Sequence, residues 1–214
     1  MNNRGPHRGA TRRDPERNRG RILAAALEEF ARHGLGGARV DRIAARAGAN
    51  KRMLYYYFGN KEELFLAVLE SRYAHIRRAE QGLRLGALDP AEGIRRLVAF
   101  TWNYYLNHPE FLTLLNSENL HRARHLKNSR QIAALHSPLV AMLRDLLERG
   151  ARQGEFRRGV DPVQLYISIA ALGYFYLSNR YTLSTIFERD VLAARSKAER
   201  LKHMTALVLG YLAK

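Results

Sequence analysis

Residues 39–61 read RVDRIAARAGANKRMLYYYFGNK, and their spacing decides the fold. Ile43, Ala44 and Ala47 recur at helical spacing, and Leu54 and Phe58 do so again. The pattern predicts two short amphipathic helices, over about 39–47 and 51–57. Gly48 stands between them, where a tight turn needs positive φ. Asn50 is of the residue type that caps a helix N-terminus. The second helix then offers Lys51, Arg52, Met53, Tyr55 and Tyr56 away from its core residues Leu54 and Phe58. Cations first and tyrosines next suit a helix that enters a DNA major groove. Its first side chains meet base edges, while hydroxyls and Lys61 meet phosphates.

Outward from that stretch the chain continues as helix. A preceding helix over about 15–33 carries Ile22, Leu23, Ala26, Leu27 and Phe30 on one face and ends at Gly34. A fourth begins at Lys61 and carries Leu64, Phe65, Val68 and Leu69. Asp14-Pro15, Asp89-Pro90 and Asp161-Pro162 each set a capping acid before a proline at the first helical position. Asn60 with Glu63, Asp89 with Glu92, and Ser196 with Glu199 have capping-box spacing. Further helices are predicted over about 90–107, 109–122, 129–153, 162–180 and 196–213. The expectation is an all-α protein of about nine helices. Its parts are a disordered basic arm over 1–13, a helix-turn-helix domain over 14–68 and a helical domain over 69–214.

The 214 residues carry a formal charge of +16. Residues 1–61 hold fourteen Arg and Lys against five Asp and Glu, so +9 of the excess lies in under a third of the chain. A concentrated basic excess attracts polyanions, although solubility alone is the plainer reading of basic charge. The basic arm lies along a groove or is simply a solvated tail. With no cysteine, disulfides, thiol catalysis and cysteine metal sites are excluded. The longest apolar run, Ile167 to Leu177, is about half of a membrane span, and no signal-peptide core opens the chain. A soluble, cytoplasmic protein is expected, with no membrane partner.

The domain over 69–214 has aromatic and polar residues in the pattern of a ligand pocket: Trp102, Tyr105, Phe111, Asn116, Glu118, Tyr166 and Tyr174. Aromatic residues at helical spacing serve equally as core. Apolar stripes through Ala170 and Leu177, and through Leu207 and Tyr211, suit a dimer interface of paired helices or internal packing. His121 and His125 share the spacing of metal ligands with Glu118 nearby, but no third histidine completes a set. A surface or pocket-edge place is expected for them, with no metal and no cofactor. No nucleophile–base set, phosphate loop or G-x-S-x-G is present, so no enzyme activity is expected. Acidic pairs such as Glu28-Glu29 and Glu62-Glu63 read as solvated helix charges.

Over Ile22 to Leu69, the pattern of Phe30, Gly34, Ile43-Ala44, Ala47-Gly48, Leu54 to Phe58, Lys61 and Leu64 resembles the DNA-binding domain of the TetR family of bacterial regulators. The resemblance implies a homodimer with two DNA heads, each on half of a palindromic operator of duplex DNA. It also implies a C-terminal helical domain that binds a small effector. On this resemblance Lys51, Arg52 and Met53 open the recognition helix, capped by Asn50. Tyr55, Tyr57 and Lys61 contact phosphates, and Tyr56 lies near bases or backbone. Tyr56 and Tyr57 have packing as their alternative role. Two departures stand out. Where the family has Thr or Ser opening the second helix, this chain has Ala38 and Arg39, so Arg39 supplies the phosphate contact by charge. The small residues that usually follow the cap are Arg52 and Met53. Arg52 suits a bidentate contact to guanine, and Met53 offers an apolar surface to a thymine methyl. The segments 108–120 and 154–172 are similar to regulators of pyrimidine and nicotinate catabolism. The function implied is a repressor released by a small-molecule inducer. The alternatives are an activator of the same architecture or a nonspecific nucleic-acid-binding protein.

Overall fold

The computed structural model describes residues 15–214. The arm expected over 1–13 and the Asp14 cap lie outside the described residues. Among the described residues ten α-helices follow one another: α1 (Pro15–Gly37), α2 (Val40–Arg46), α3 (Lys51–Phe58), α4 (Lys61–Gln81), α5 (Pro90–Asn107), α6 (Pro109–Leu120), α7 (Arg130–Gln153), α8 (Pro162–Ser178), α9 (Arg180–Ile186) and α10 (Ala194–Leu212). Among the described residues the extended pairing amounts to an isolated bridge between Phe156 and Ala213, so the fold is all-α. The chain divides into two compact units, one up to Ala67 and one from Val68.

Local chemistry sets the boundaries. Gly34 adopts φ 61 and kinks α1, a backbone that costs a glycine nothing. Asp89 accepts from the Ala91 N–H at 3.1 Å, and Asp161 accepts from the Val163 N–H at 2.7 Å, each with proline at the first helical position. Asn60 accepts from the Glu63 N–H at 2.8 Å. The Ser196 cap is corrected. α10 starts two residues earlier, and the buried Ser196 hydroxyl donates to the Asp190 carbonyl at 2.7 Å. Helix α9 is one more than the nine expected. The chain turns out of helical geometry at Asn179, whose amide side chain donates to the Phe175 carbonyl at 2.8 Å.

In the first unit, Ile22, Ala26 and Phe30 of α1 meet Ile43, Ala44, Ala47, Leu54, Phe58, Leu64 and Phe65 in a closed core. Leu23 and Leu27 are half-buried. Phe30 and Phe65 meet edge to face at 5.1 Å, an arrangement worth about 1 kcal/mol beyond the area buried. The Arg19 guanidinium covers the Phe58 ring at 5.2 Å. In the second unit α5 is central and packs against α7, α8 and α10. Its core includes Trp102, Tyr105, Phe111, Leu143, Leu146, Ile169 and Met204. No helix among the described residues is long and apolar enough to cross a membrane.

Candidate functional site

Helix α3 has two faces because Leu54 and Phe58 are held in the core of the first unit. Asn50 precedes it in extended backbone and accepts the Met53 N–H at 2.8 Å, so the helix starts at Lys51. Gly48, at φ +58, makes the turn from α2. Lys51, Arg52, Tyr55 and Tyr56 are exposed on α3, and Met53 and Tyr57 are half-buried. Tyr56 is 82% exposed, far more than a packing role needs, and its ring meets Tyr57 edge to face at 5.3 Å. The structure thus brings Asn50 to Tyr57 together on one short helix.

The other cations sit beside it. Lys51 forms an ion pair with Asp41 of α2, and both side chains are more than half exposed. Lys61 donates to the Ala38 carbonyl at 3.3 Å. Arg39 is the residue before α2, with its side chain exposed.

What holds Arg39 in place corrects the reading of Glu29 as a solvated charge. Glu29 is fully buried. It accepts the Arg39 backbone N–H at 3.0 Å and the Arg42 Nε at 2.7 Å, with Arg46 at 3.8 Å and His33 at 3.9 Å. Burial pushes its carboxyl up. The Arg39 N–H, the Arg42 guanidinium and the His33 charge outweigh that and hold it below the usual carboxylate range. Helical period carries the signal, since Glu29 stands seven residues after Ile22 and three after Ala26 on the inward side of α1, and Glu28 does not.

The proposed ligand residues lie in the second unit. Trp102, Tyr105 and Phe111 are buried in its core. Trp102 meets Tyr176 edge to face at 5.6 Å, and Tyr105 lies 6.3 Å from Phe111. The Tyr174 hydroxyl donates to the exposed Asn116. The Tyr166 hydroxyl accepts from Arg77 Nη2 at 2.7 Å. Glu118 is buried and accepts the His125 and Leu126 N–H groups, each at 2.9 Å. His125 Nδ1 lies 2.6 Å from its second oxygen. His125 is therefore inside the unit, not on its surface, because Glu118 caps the turn that follows α6. Among the described residues no group of His, Asp and Glu could hold a metal ion.

Arg77 and Glu80 of α4 were not singled out in the sequence. They are 3% and 1% exposed. The signal was there, since Tyr73, Arg77 and Glu80 follow the inward helical period of α4.

Of the dimer candidates, Leu177 is 3% exposed and belongs to the core of its own chain. Ala170 is half-buried. Leu207 and Tyr211 are 46% and 50% exposed. They line a groove of about 490 Å³ with Leu165, Ala171, Leu172 and Phe175, and Phe175 and Ile167 are likewise exposed. A second groove, of about 510 Å³, lies at the α7–α8 corner among Arg144, Arg152, Arg157 and Arg158. The proposed ligand residues line neither groove.

Comparison with known proteins agrees with this arrangement. Residues 22–68 match the family described as bacterial regulatory proteins, tetR family. Residues 90–208 match the tetracyclin repressor-like C-terminal domain. The HTH-type transcriptional repressor NicS of Pseudomonas putida is 43% identical over 201 residues, 94% of this chain and 95% of that one. The HTH-type transcriptional repressor SCO4008 of Streptomyces coelicolor is 40% identical over 139 residues, 64% of this chain and 69% of that one. Among solved structures, transcriptional regulator SCO4942 from Streptomyces coelicolor is 27% identical with a TM-score of 0.68, over 91% of this chain and 98% of that one. A capped, cationic α3 on a closed core shared by α1, α2, α3 and the start of α4, together with a second helical unit, are the parts of a DNA-binding transcriptional regulator, and this chain belongs to the TetR family.

Proposed function

We propose that the chain is a cytoplasmic, homodimeric repressor that holds a palindromic operator and releases it when a small effector binds the second unit. The exposed face of α3 carries the reading. Asn50 starts the helix, so that Lys51, Arg52 and Met53 lead into the major groove. Arg52 reads a guanine edge and Met53 touches a thymine methyl. Arg39, Tyr55, Tyr57 and Lys61 hold phosphates, and Tyr56 lies against bases or backbone. These contacts fix the register, while Arg52 supplies sequence preference.

Two copies pair through the exposed apolar groove of α8 and α10, around Leu207 and Tyr211, with Ala170 beside it. The pair sets its recognition helices about 34–36 Å apart, one turn of DNA. The effector occupies the region of Trp102, Tyr105, Phe111, Asn116, Glu118, Tyr166 and Tyr174. Its influence cannot exceed its differential affinity for the bound and released states.

The test is selection of operators from random duplexes, followed by affinity measurements across salt concentrations. Selected sequences should form an inverted repeat, and Arg52→Ala should cost about 1–3 kcal/mol at a single operator position. Equal losses on every duplex, or equal affinity for selected and random DNA at all salt concentrations, would overturn the reading.

A further inference from the structure

We propose that the arginine groove between the end of α7 and the start of α8 is a binding site for a small organic polyphosphate of the nucleoside triphosphate kind. The residues that line it are none of those assigned above to DNA, to the effector or to the dimer.

Helical spacing gathers the charges. Arg144, Glu148 and Arg152 stand four residues apart on α7 and so share one face of that helix. Arg157 and Arg158 follow in the connection to α8. All four arginines are exposed, and all four line the same groove of about 510 Å³. Glu148 sets one carboxylate against the four guanidiniums, a balance of +3. Two neighbouring acids are committed elsewhere. Asp145 accepts from Arg149 Nε at 2.9 Å, and Asp161 accepts the Val163 N–H at 2.7 Å.

The plain alternative is a solvated helix face, and two features speak against it. The charges line a concavity, and the connection that carries two of them is fixed. Phe156 is buried, and its N–H donates to the Gly150 carbonyl at 3.1 Å. The Arg157 N–H donates to the Leu212 carbonyl at 2.8 Å. The Arg157 guanidinium carbon lies 4.6 Å from the centre of the Tyr211 ring. Cations on a fixed connection lose less freedom when a ligand arrives than cations on a loose one. Arg149, on the same helix, shows the structural use of the residue, since it spends Nη1 on the Leu88 carbonyl at 2.8 Å.

Shape and chemistry choose the occupant. The groove has the volume of a small-molecule site, and a duplex or a membrane presents a far broader surface. Guanidinium forks pair with phosphate oxygens two at a time. A balance of +3 suits a chain of phosphates better than a single carboxylate. Leu147, Ala151, Val160 and Pro162 give the rest of the wall an apolar character, which offers the organic part of the ligand a surface of its own.

The test is isothermal titration calorimetry on the purified full chain in ~0.15 M salt, where exposed charges are largely screened beyond about 8 Å. The probes are ATP, AMP, adenosine, inorganic tripolyphosphate and a glutamate-rich peptide. ATP should bind more tightly than AMP or tripolyphosphate, and adenosine should be silent. Arg152→Ala combined with Arg158→Ala should weaken ATP about tenfold or more. Arg157 is left intact because it packs on Tyr211. Circular dichroism checks that the double variant folds, and the single Arg158→Gln carries the same comparison if it does not. The head has cations of its own, so Lys51→Ala combined with Arg52→Ala serves as the control and should bind ATP like the parent. No heat with ATP, or undiminished ATP binding in the groove variants, would overturn the proposal. Loss of ATP binding in the head control would move the phosphates to the DNA face and overturn it too. Tripolyphosphate as tight as ATP would leave an unselective anion patch, and a tighter peptide would give the groove to an acidic protein. Either result would refute the organic polyphosphate.

Discussion

The Glu29 carboxylate of α1 accepts the Arg39 backbone N–H at 3.0 Å, so the start of α2 is held by a buried charge from another helix and not by a side chain of its own. The charge also sits at the positive end of the α2 dipole. Glu29→Ala should cost the first unit about 1.5–3 kcal/mol, the range for hydrogen bonds to a charged group. Urea denaturation of the full chain measures it. The pH dependence has a definite sign. Because the folded carboxyl titrates below its ordinary 4.5, its contribution is complete above that value and is lost as pH falls through the folded one. A Glu29→Ala variant as acid-sensitive as the parent would refute this.

Glu80 gives the opposite sign. Its folded value, about 7, lies above its ordinary 4.5. The folded state therefore binds the extra proton between those values, and stability declines as pH rises through them. The decline is on the order of 3 kcal/mol at one unit per 1.36 kcal/mol. Stability curves at pH 5 and pH 8 should converge in Glu80→Gln. Parallel curves for variant and parent would refute the raised titration of Glu80.

Asn50 accepts the Met53 N–H at 2.8 Å. Asn50→Ala should destabilise α3 by about 1 kcal/mol. Operator affinity should fall with it on the proposed function, because the leading turn of α3 frays. Hydrogen exchange at the Met53 amide reads the fraying, and unchanged exchange would argue that the cap is idle.

Phe175 and Leu207 are 59% and 46% exposed. Replacing either with Glu should cost the single chain little and split the proposed dimer. Molar mass by light scattering should halve. Operator affinity should drop about a hundredfold, as one bivalent contact becomes two separate ones. A Phe175→Glu chain that stays dimeric would place the interface elsewhere.

The helices, their proline-led starts and the two faces of α3 were legible because each depends on residues close in sequence. Leu54 and Phe58 need only helical spacing to fix which way Arg52 points. Glu29, Arg77 and Glu80 were passed over for the opposite reason. A charged residue is assigned to solvent by default, and what overrides the default is a partner from a distant segment, such as the Arg39 N–H or the Tyr166 hydroxyl. Leu177 was misplaced by a subtler effect. On a helix apolar nearly all round, α8, period alone does not say which stripe faces the chain's own core. Ser196 shows the limit of capping motifs, since its hydroxyl was already committed to Asp190.

The pairing of Lys51 with Asp41 sorts the cations of the head by when they act. On the proposed function, the exposed Arg39 and Arg52 let their field reach out to DNA and speed first encounter. The Lys51 charge is muted at a distance by its own carboxylate, and Lys61 is occupied by a carbonyl. On the same proposal these two lysines come into play only after contact, when a phosphate displaces the intramolecular partner. The proposal thus has the arginines govern how often the protein arrives, and the lysines how long it stays.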